Sequence, residues 1–206
     1  MPKLVTTDSV KTRGALPSDP EVEIALDQTL NATSLALEAF LDTSFTREVI
    51  TDTFWVDTSH RPFEGNYPTL RLTKALVDPA QTITVEYAGS LEQFSKDKET
   101  LEPFQFVLDS NRGVISLSET AIDSVFVRVT YTAGLNLDTP DVSIYDQATV
   151  PEWLKEAATM HALALLNITT KLGPSEKRSE IATQMLNHVG MILDPKKRPK
   201  GGIRPI

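Results

Sequence analysis

The chain has 206 residues, of which 20 are basic and 28 acidic, and it contains no cysteine. This length suffices for one domain or for a domain with an inserted subdomain, and the lack of cysteine excludes disulfide frameworks, thiolate metal sites and cysteine nucleophiles. No apolar run reaches the roughly 18 residues of a membrane span, and the first residues lack the apolar segment of a signal peptide. We therefore expect a soluble, unprocessed protein that makes no membrane contact.

The charge is distributed unevenly along the chain. Residues 194–206 carry five bases and one acid, which leaves 15 basic and 27 acidic residues in 1–193. An acidic body argues against a surface that grips DNA, because phosphate contacts need clustered Lys and Arg. It is compatible with a wall along which DNA slides, and also with a simple solubility role.

Two helices are predicted before residue 47. Residues 7–13 predict one or two helical turns that begin at a capping threonine and stop at Gly14. Asp19 as a cap and Pro20 at the first helical position begin a long helix that should end near residues 42–44. Its buried stripe should contain Val22, Leu26, Leu30, Thr33, Leu37 and Leu41.

Between Glu48 and Gly134 the apolar period changes to two, which is typical of strands. The first strand groups Val49, Thr51, Thr53 and Trp55 on one face. Residues 109–113 predict a hairpin turn between strands at 104–108 and 114–117, and Val125–Tyr131 has the strongest strand pattern. Five or six short strands predict a small antiparallel sheet or barrel.

Two more helices follow a polar connection. The first begins at Pro151 and has an alanine-rich stripe, which allows close helix contact: Leu154, Ala158, His161, Ala162, Leu165 and Ile168. After Gly173 and Pro174, the second runs from about Ser175 and ends at Pro195.

These elements together predict an α+β fold, in which a helical bundle holds a central antiparallel β-rich insertion. The helical domain should comprise residues 1–47 and 135–193, and the insertion residues 48–134. Residues 194–206 lack periodicity and are expected to form a flexible, basic docking tail.

The sequence offers little that points to catalysis. His161 lies on an apolar stripe and is interpreted as a buried or interfacial histidine with its polar groups satisfied, and His188 as a partner of a helix end. Asp57 and His60 alone make an incomplete metal site. Without a recognised catalytic or nucleotide-binding motif, we expect no enzyme activity, no metal and no cofactor. A hydrolase with an unrecognised site that uses His60 remains the enzymatic alternative.

The order of three segments carries a family resemblance. Arg112–Leu117 and Val125–Gly134, which ends in YTAG, are followed by the proline-opened helix at Val150–Ala158. This order resembles the head-to-tail connector (adaptor) proteins of tailed bacteriophages. The resemblance implies a virion protein of the neck whose copies form a dodecameric ring below the portal protein. It also implies a downstream neck or tail protein as a partner, and packaged double-stranded DNA that passes through without specific binding.

The resemblance gives the basic tail a role in docking onto the portal. Leu193, Ile203 and Ile206 would be apolar anchors, and Lys197, Arg198 and Arg204 would pair with carboxylates. Lys196 and Lys200 belong to the same docking tail. A solubility tail and a short DNA-binding arm are the alternatives.

The loop 58–68 is either an ordinary surface loop or a contact with a neighbouring subunit, through His60, Arg61, Phe63 and Tyr67. The alternative for the whole protein is a tail-completion or capsid decoration protein, which ring order would distinguish from a connector.

Overall fold

The computed structural model describes residues 2–57, 68–117, 125–137, 144–169 and 178–206, without the side chains of residues 168 and 169. The chain divides into two compact units. The helical unit comprises Met1–Asp42 and Leu135–Lys197, and the β unit comprises Thr43–Gly134 and Arg198–Ile206. The predicted α+β class, with helices and antiparallel sheets, is confirmed. Among the described helices, none combines the length and the apolarity that a membrane crossing requires.

The described part of the helical unit contains four helices: α1 (Thr7–Gly14), α2 (Pro20–Leu41), α3 (Glu152–Thr169) and α4 (Arg178–Leu193). Helix α3 packs against each of the other three, and most extensively against α4. Besides Leu154, its fully buried residues are alanines, which allow the neighbouring helices to approach closely: Ala157, Ala158, Ala162 and Ala164. Helix α3 is therefore the central element of this unit.

Helix α2 begins and ends where the sequence predicts. The Asp19 carboxylate accepts a hydrogen bond from the Glu21 N–H at 2.8 Å, and Pro20 takes the first helical position. Asp42 ends the helix in the left-handed conformation. All six residues of the predicted stripe are buried, so the stripe is confirmed.

The predicted boundaries of α1 were wrong by one residue. The cap is Thr6, whose hydroxyl accepts a hydrogen bond from the Ser9 N–H at 3.1 Å, and the left-handed residue after the helix is Ala15. Gly14 serves packing instead, because a Cβ there would lie 2.5 Å from the Leu163 Cδ2. A glycine at a helix end thus marks a close helix contact here.

The β unit contains two antiparallel sheets, and seven strands lie within its described residues. One sheet has the order β1-β7-β3-β4, and the other β2-β6-β5. The strands are β1 (Glu48–Val56), β2 (Thr69–Arg71), β3 (Thr84–Ala88), β4 (Glu99–Thr100), β5 (Phe106–Asp109), β6 (Val114–Leu117) and β7 (Val125–Ala133). The predicted hairpin is confirmed, because Asp109 of β5 pairs with Val114 of β6. The predicted strong strand is confirmed as β7, which pairs with both β1 and β3.

The two sheets contribute to one apolar core. Its buried members are Phe54, Val56, Leu70, Leu72, Val77, Val85, Leu101, Ile115, Leu117, Val127, Val129, Tyr131 and Ala133. Strand β1 turns Asp52, Phe54 and Val56 inward. The face that the sequence groups around Val49 and Trp55 is consequently the outer face of the sheet.

Two glycines are expected to respond to alanine in opposite directions. Gly134 has φ +99°, and a Cβ there would lie 2.4 Å from the Thr46 carbonyl oxygen, whereas Gly190 lies within α4 with open space around its Cα. We expect Gly134→Ala to lower the free energy of unfolding by more than about 1 kcal/mol, and Gly190→Ala to raise it by about 0.5–1 kcal/mol.

Urea denaturation of the two variants beside the unchanged chain measures both effects. Changes of the same sign would contradict the backbone conformations described above.

Candidate functional site

The segment 198–206, named here the C-terminal segment, runs along the edges of both sheets of the β unit. The Ile203 N–H donates to the Thr69 carbonyl at 2.9 Å, and the Ile203 carbonyl accepts from the Arg71 N–H at 2.8 Å, which gives a parallel bridge beside β2. The Ile206 N–H donates to the Thr53 carbonyl of β1 at 2.9 Å. Strands β1 and β2 are edge strands, so the C-terminal segment covers part of each edge.

The structure differs here from the predicted flexible tail. Arg198 is only 8% exposed, and its guanidinium donates to the Thr73 carbonyl at 2.8 Å. Ile203 packs against the apolar core of the β unit. A segment held by backbone hydrogen bonds to sheet edges needs no apolar periodicity, and therefore the sequence pattern did not reveal its order.

The predicted docking residues divide between the two units. Leu193 is buried at the end of α4, the Lys196 ammonium lies 5.8 Å from the Trp153 ring, and the Lys197 ammonium lies 4.5 Å from the Phe40 ring. In the β unit Arg198 is buried and Ile203 half-buried, whereas three residues are exposed: Lys200, Arg204 and Ile206. Ile206 is 73% exposed. These three, together with Lys197, which is exposed in the helical unit, are the docking candidates that remain accessible to a partner.

A buried carboxylate links β1 to the chain after β2 and to β7. Asp52 is 4% exposed, and its Oδ2 accepts hydrogen bonds from the Thr73 N–H at 2.6 Å and from the Tyr131 hydroxyl at 2.8 Å. Its Oδ1 accepts from the Thr73 hydroxyl at 2.6 Å. The Tyr131 hydroxyl in turn accepts from the Lys74 N–H at 3.1 Å. We name Asp52, Thr73, Lys74 and Tyr131 the carboxylate network.

The carboxylate network is positioned by strand alternation. Asp52 occupies an inward position of β1, two residues from Phe54, where an apolar residue is the usual choice. Burial raises the pKa of Tyr131 above its usual range, and the nearby charge of Asp52 adds to this, while the charge of Arg198 acts in the opposite direction. Sequence reasoning missed this network, although an acid at an inward position of an alternating strand was the available signal.

The outer face of the four-stranded sheet carries aromatic and cationic groups. The Trp55 and Phe126 rings lie 4.6 Å apart, and the Arg128 guanidinium lies 4.0 Å from the centre of the Phe94 ring. Thr51 and Thr130 form a cross-strand hydroxyl pair at 3.1 Å. Phe94 is buried and Phe126 half-buried, whereas Trp55 is 40% exposed, so Trp55 is the ring of this face that a protein partner can cover.

Helix α2 has a second, exposed stripe. Ile24 is 62% exposed and Leu35 56% exposed, and with Gln28, Ala32 and Ala39 they share one helical face. We name these five residues the outer stripe of α2. The same helix carries four acidic residues and no basic one.

Two of the three histidines lie within the described residues. The His161 Nδ1 lies 3.1 Å from the Thr33 hydroxyl, and burial lowers the pKa of His161, which confirms the predicted satisfied histidine. The His188 Nε2 lies 3.8 Å from the Glu156 carboxylate. The candidate contact loop, with His60, Arg61, Phe63 and Tyr67, lies outside the described residues. In the described ranges no group of three or more His, Asp or Glu residues is placed to hold a metal ion.

No protein-family model and no curated protein sequence matches the chain. Chains of solved structures do align with it, among them the following two. The neck of an empty GTA particle computed with C6 symmetry has 12% sequence identity and a TM-score of 0.44, over 96% of this chain and 91% of that one. The neck of a native GTA particle computed with C12 symmetry has 15% identity and a TM-score of 0.39, over 98% of this chain and 97% of that one.

Removal of one hydroxyl tests the carboxylate network. We expect Tyr131→Phe to lower the free energy of unfolding by about 1–3 kcal/mol, because Asp52 loses a donor and the buried Lys74 N–H loses its acceptor. The matched control is Tyr87→Phe, which removes a hydroxyl that donates to the exposed Glu99 carboxylate and should change stability by less than about 0.5 kcal/mol.

Thermal and urea denaturation of both variants give the comparison. An equal decrease in the free energy of unfolding in the two variants would contradict a larger contribution of the carboxylate network.

Proposed function

We propose that this chain is a structural protein of the neck of a tailed-phage-like particle. In this proposal it is a head-to-tail connector whose copies form a dodecameric ring below the portal protein. The observation that carries the proposal is the order of the two units along the chain. Helices from both ends of the chain form one unit, and the β unit is inserted between α2 and α3. The connector resemblance in the sequence implies this arrangement.

The outer stripe of α2 supports self-association. A helix that buries one stripe within its own unit and exposes Ile24 and Leu35 on another has an apolar face available to a neighbouring copy. In a closed ring each copy uses two different surfaces, so this stripe would meet a different surface of the next copy.

Charge supports a channel that DNA crosses without binding. Helix α2 presents Glu21, Glu23, Asp27 and Glu38 without a basic residue, although Glu23 and Asp27 pair with Lys11 and Lys3. Carboxylates repel the phosphate backbone, and few bases are available for phosphate contacts. We propose that acidic residues of this unit face the lumen of the ring.

Docking onto the portal would use the accessible residues of the predicted tail. Lys200 and Arg204 are exposed and basic, and the exposed Ile206 offers an apolar anchor. These groups fit an acidic partner surface that has a shallow apolar pocket. The downstream neck or tail protein would then bind a surface of the ring that is formed after docking.

The alternative is a tail-completion or capsid decoration protein. The exposed groups of the β unit favour it, since Val49, Trp55 and Phe104 are apolar residues on the surface of the inserted unit. Such a protein would bind its partner through the β unit and would not form a twelvefold ring.

Co-sedimentation with DNA-filled, tailless capsids tests the connector proposal. We expect the full chain to bind and to form a twelvefold ring below the portal, as seen by particle imaging. The double variant Lys200→Glu/Arg204→Glu should lose at least about tenfold in affinity, because it reverses the charge of the docking groups.

The control is Lys96→Glu/Lys98→Glu, which changes the net charge equally on another loop of the β unit. Absence of capsid binding by the unchanged chain, with trimers or hexamers in solution, would contradict the proposal. An equal loss of capsid affinity in the control variant would contradict the docking role of Lys200 and Arg204.

A further inference from the structure

We propose that the C-terminal segment is an exchangeable edge strand. In the assembled oligomer, residues 198–206 of one copy would cover the edges of β1 and β2 in a neighbouring copy. The proposed binding site is therefore the paired sheet edges of the β unit, and its occupant is a second copy of this chain. The inference rests on the proposed function in one respect, namely that copies of the chain associate.

The site holds the segment through backbone hydrogen bonds and two side-chain contacts. The Thr69 and Arg71 backbone groups bond to Ile203, and the Thr53 carbonyl of β1 accepts from Ile206. The Ile203 side chain enters the rim of the apolar core, and the Arg198 guanidinium reaches the Thr73 carbonyl. Backbone pairing with a side-chain pocket and an anchoring charge is the mode by which sheet edges bind extended peptides.

The position of the unit boundary makes exchange possible. The helical unit ends at Lys197, whose ammonium lies over the Phe40 ring, and the next residue, Arg198, already belongs to the β unit. The backbone hydrogen bonds of Ile203 and Ile206 and the hydrogen bond of the Arg198 guanidinium are all made with the β unit. A transfer of the segment to another copy therefore leaves the contacts within the helical unit unchanged.

Exchange preserves the interactions that hold the segment. The neighbouring copy offers the same carbonyl of Thr69, the same carbonyl of Thr73 and the same pocket for Ile203, so the contact energy is equal within one chain and between chains. Exchange between identical chains is a low-cost route to oligomers for this reason. The sheet edges stay covered in either state, which avoids open edges that pair nonspecifically.

Because the chain contains no cysteine, only introduced cysteines can form a disulfide. One sample carries Thr53→Cys and the other Ile206→Cys, and the two are mixed under mild oxidation. A disulfide between these positions then links two different chains by necessity. We expect the mixed dimer in at least about tenfold excess over the matched mixture of Val49→Cys with Ile206→Cys, because disulfide geometry is demanding.

Val49 is an exposed residue of the same strand, so this control reports random collision. The single-chain variant Thr53→Cys/Ile206→Cys reports whether the segment lies on the edge at all. If the double variant forms its disulfide within one chain while the mixture yields no excess of mixed dimer, exchange is contradicted. If neither the intrachain disulfide nor the mixed dimer forms, the proposed edge site itself is contradicted.

Light scattering on the same mixtures separates this inference from the proposed function. Oligomers that assemble without the mixed disulfide would overturn exchange and leave the ring proposal standing. A mixed disulfide in particles no larger than dimers would support exchange and count against the ring.

Discussion

The β unit depends on the buried carboxylate of Asp52. This charge lies inside an apolar core, where an unpaired carboxylate would cost several kcal/mol. Three hydrogen bonds from Thr73 and Tyr131 compensate that cost, and they join β1, the chain after β2 and β7. Because β1 and β7 belong to one sheet and β2 to the other, the carboxylate network fixes the two sheets to each other.

The place of the C-terminal segment follows from that constraint. Thr73 donates to Asp52 through its N–H and its hydroxyl, and its carbonyl accepts from Arg198. The same stretch of chain thus fixes the sheets and anchors the segment. Ile203 and Ile206 then pair with the edges of β2 and β1. Arg198, Ile203 and Ile206, which the connector resemblance assigns to docking, therefore also complete the β unit.

Much of the fold could be predicted from apolar periodicity, because that pattern reports burial directly. The six-residue stripe of α2, the β5–β6 hairpin and the long strand β7 all followed from it. Apolar periodicity did not predict the parts of the structure that are ordered by other interactions. Residues 198–206 have no periodicity because edge pairing uses the backbone, and the sequence pattern does not identify the partners of Asp52 because they lie 21 and 79 residues away. The alternation in β1 does not indicate which face points inward, since threonine and tryptophan suit either face.

Backbone amide hydrogen exchange on the free, full-length chain is the most direct test of the claim that the C-terminal segment belongs to the β unit. We expect slow exchange at the N–H groups of Arg71, Ile203 and Ile206, which donate to backbone carbonyls, and fast exchange at the exposed Lys200. Exchange at Ile203 and Ile206 as fast as at Lys200 would contradict it. In that case residues 198–206 would be a free tail that does not pair with the sheet edges.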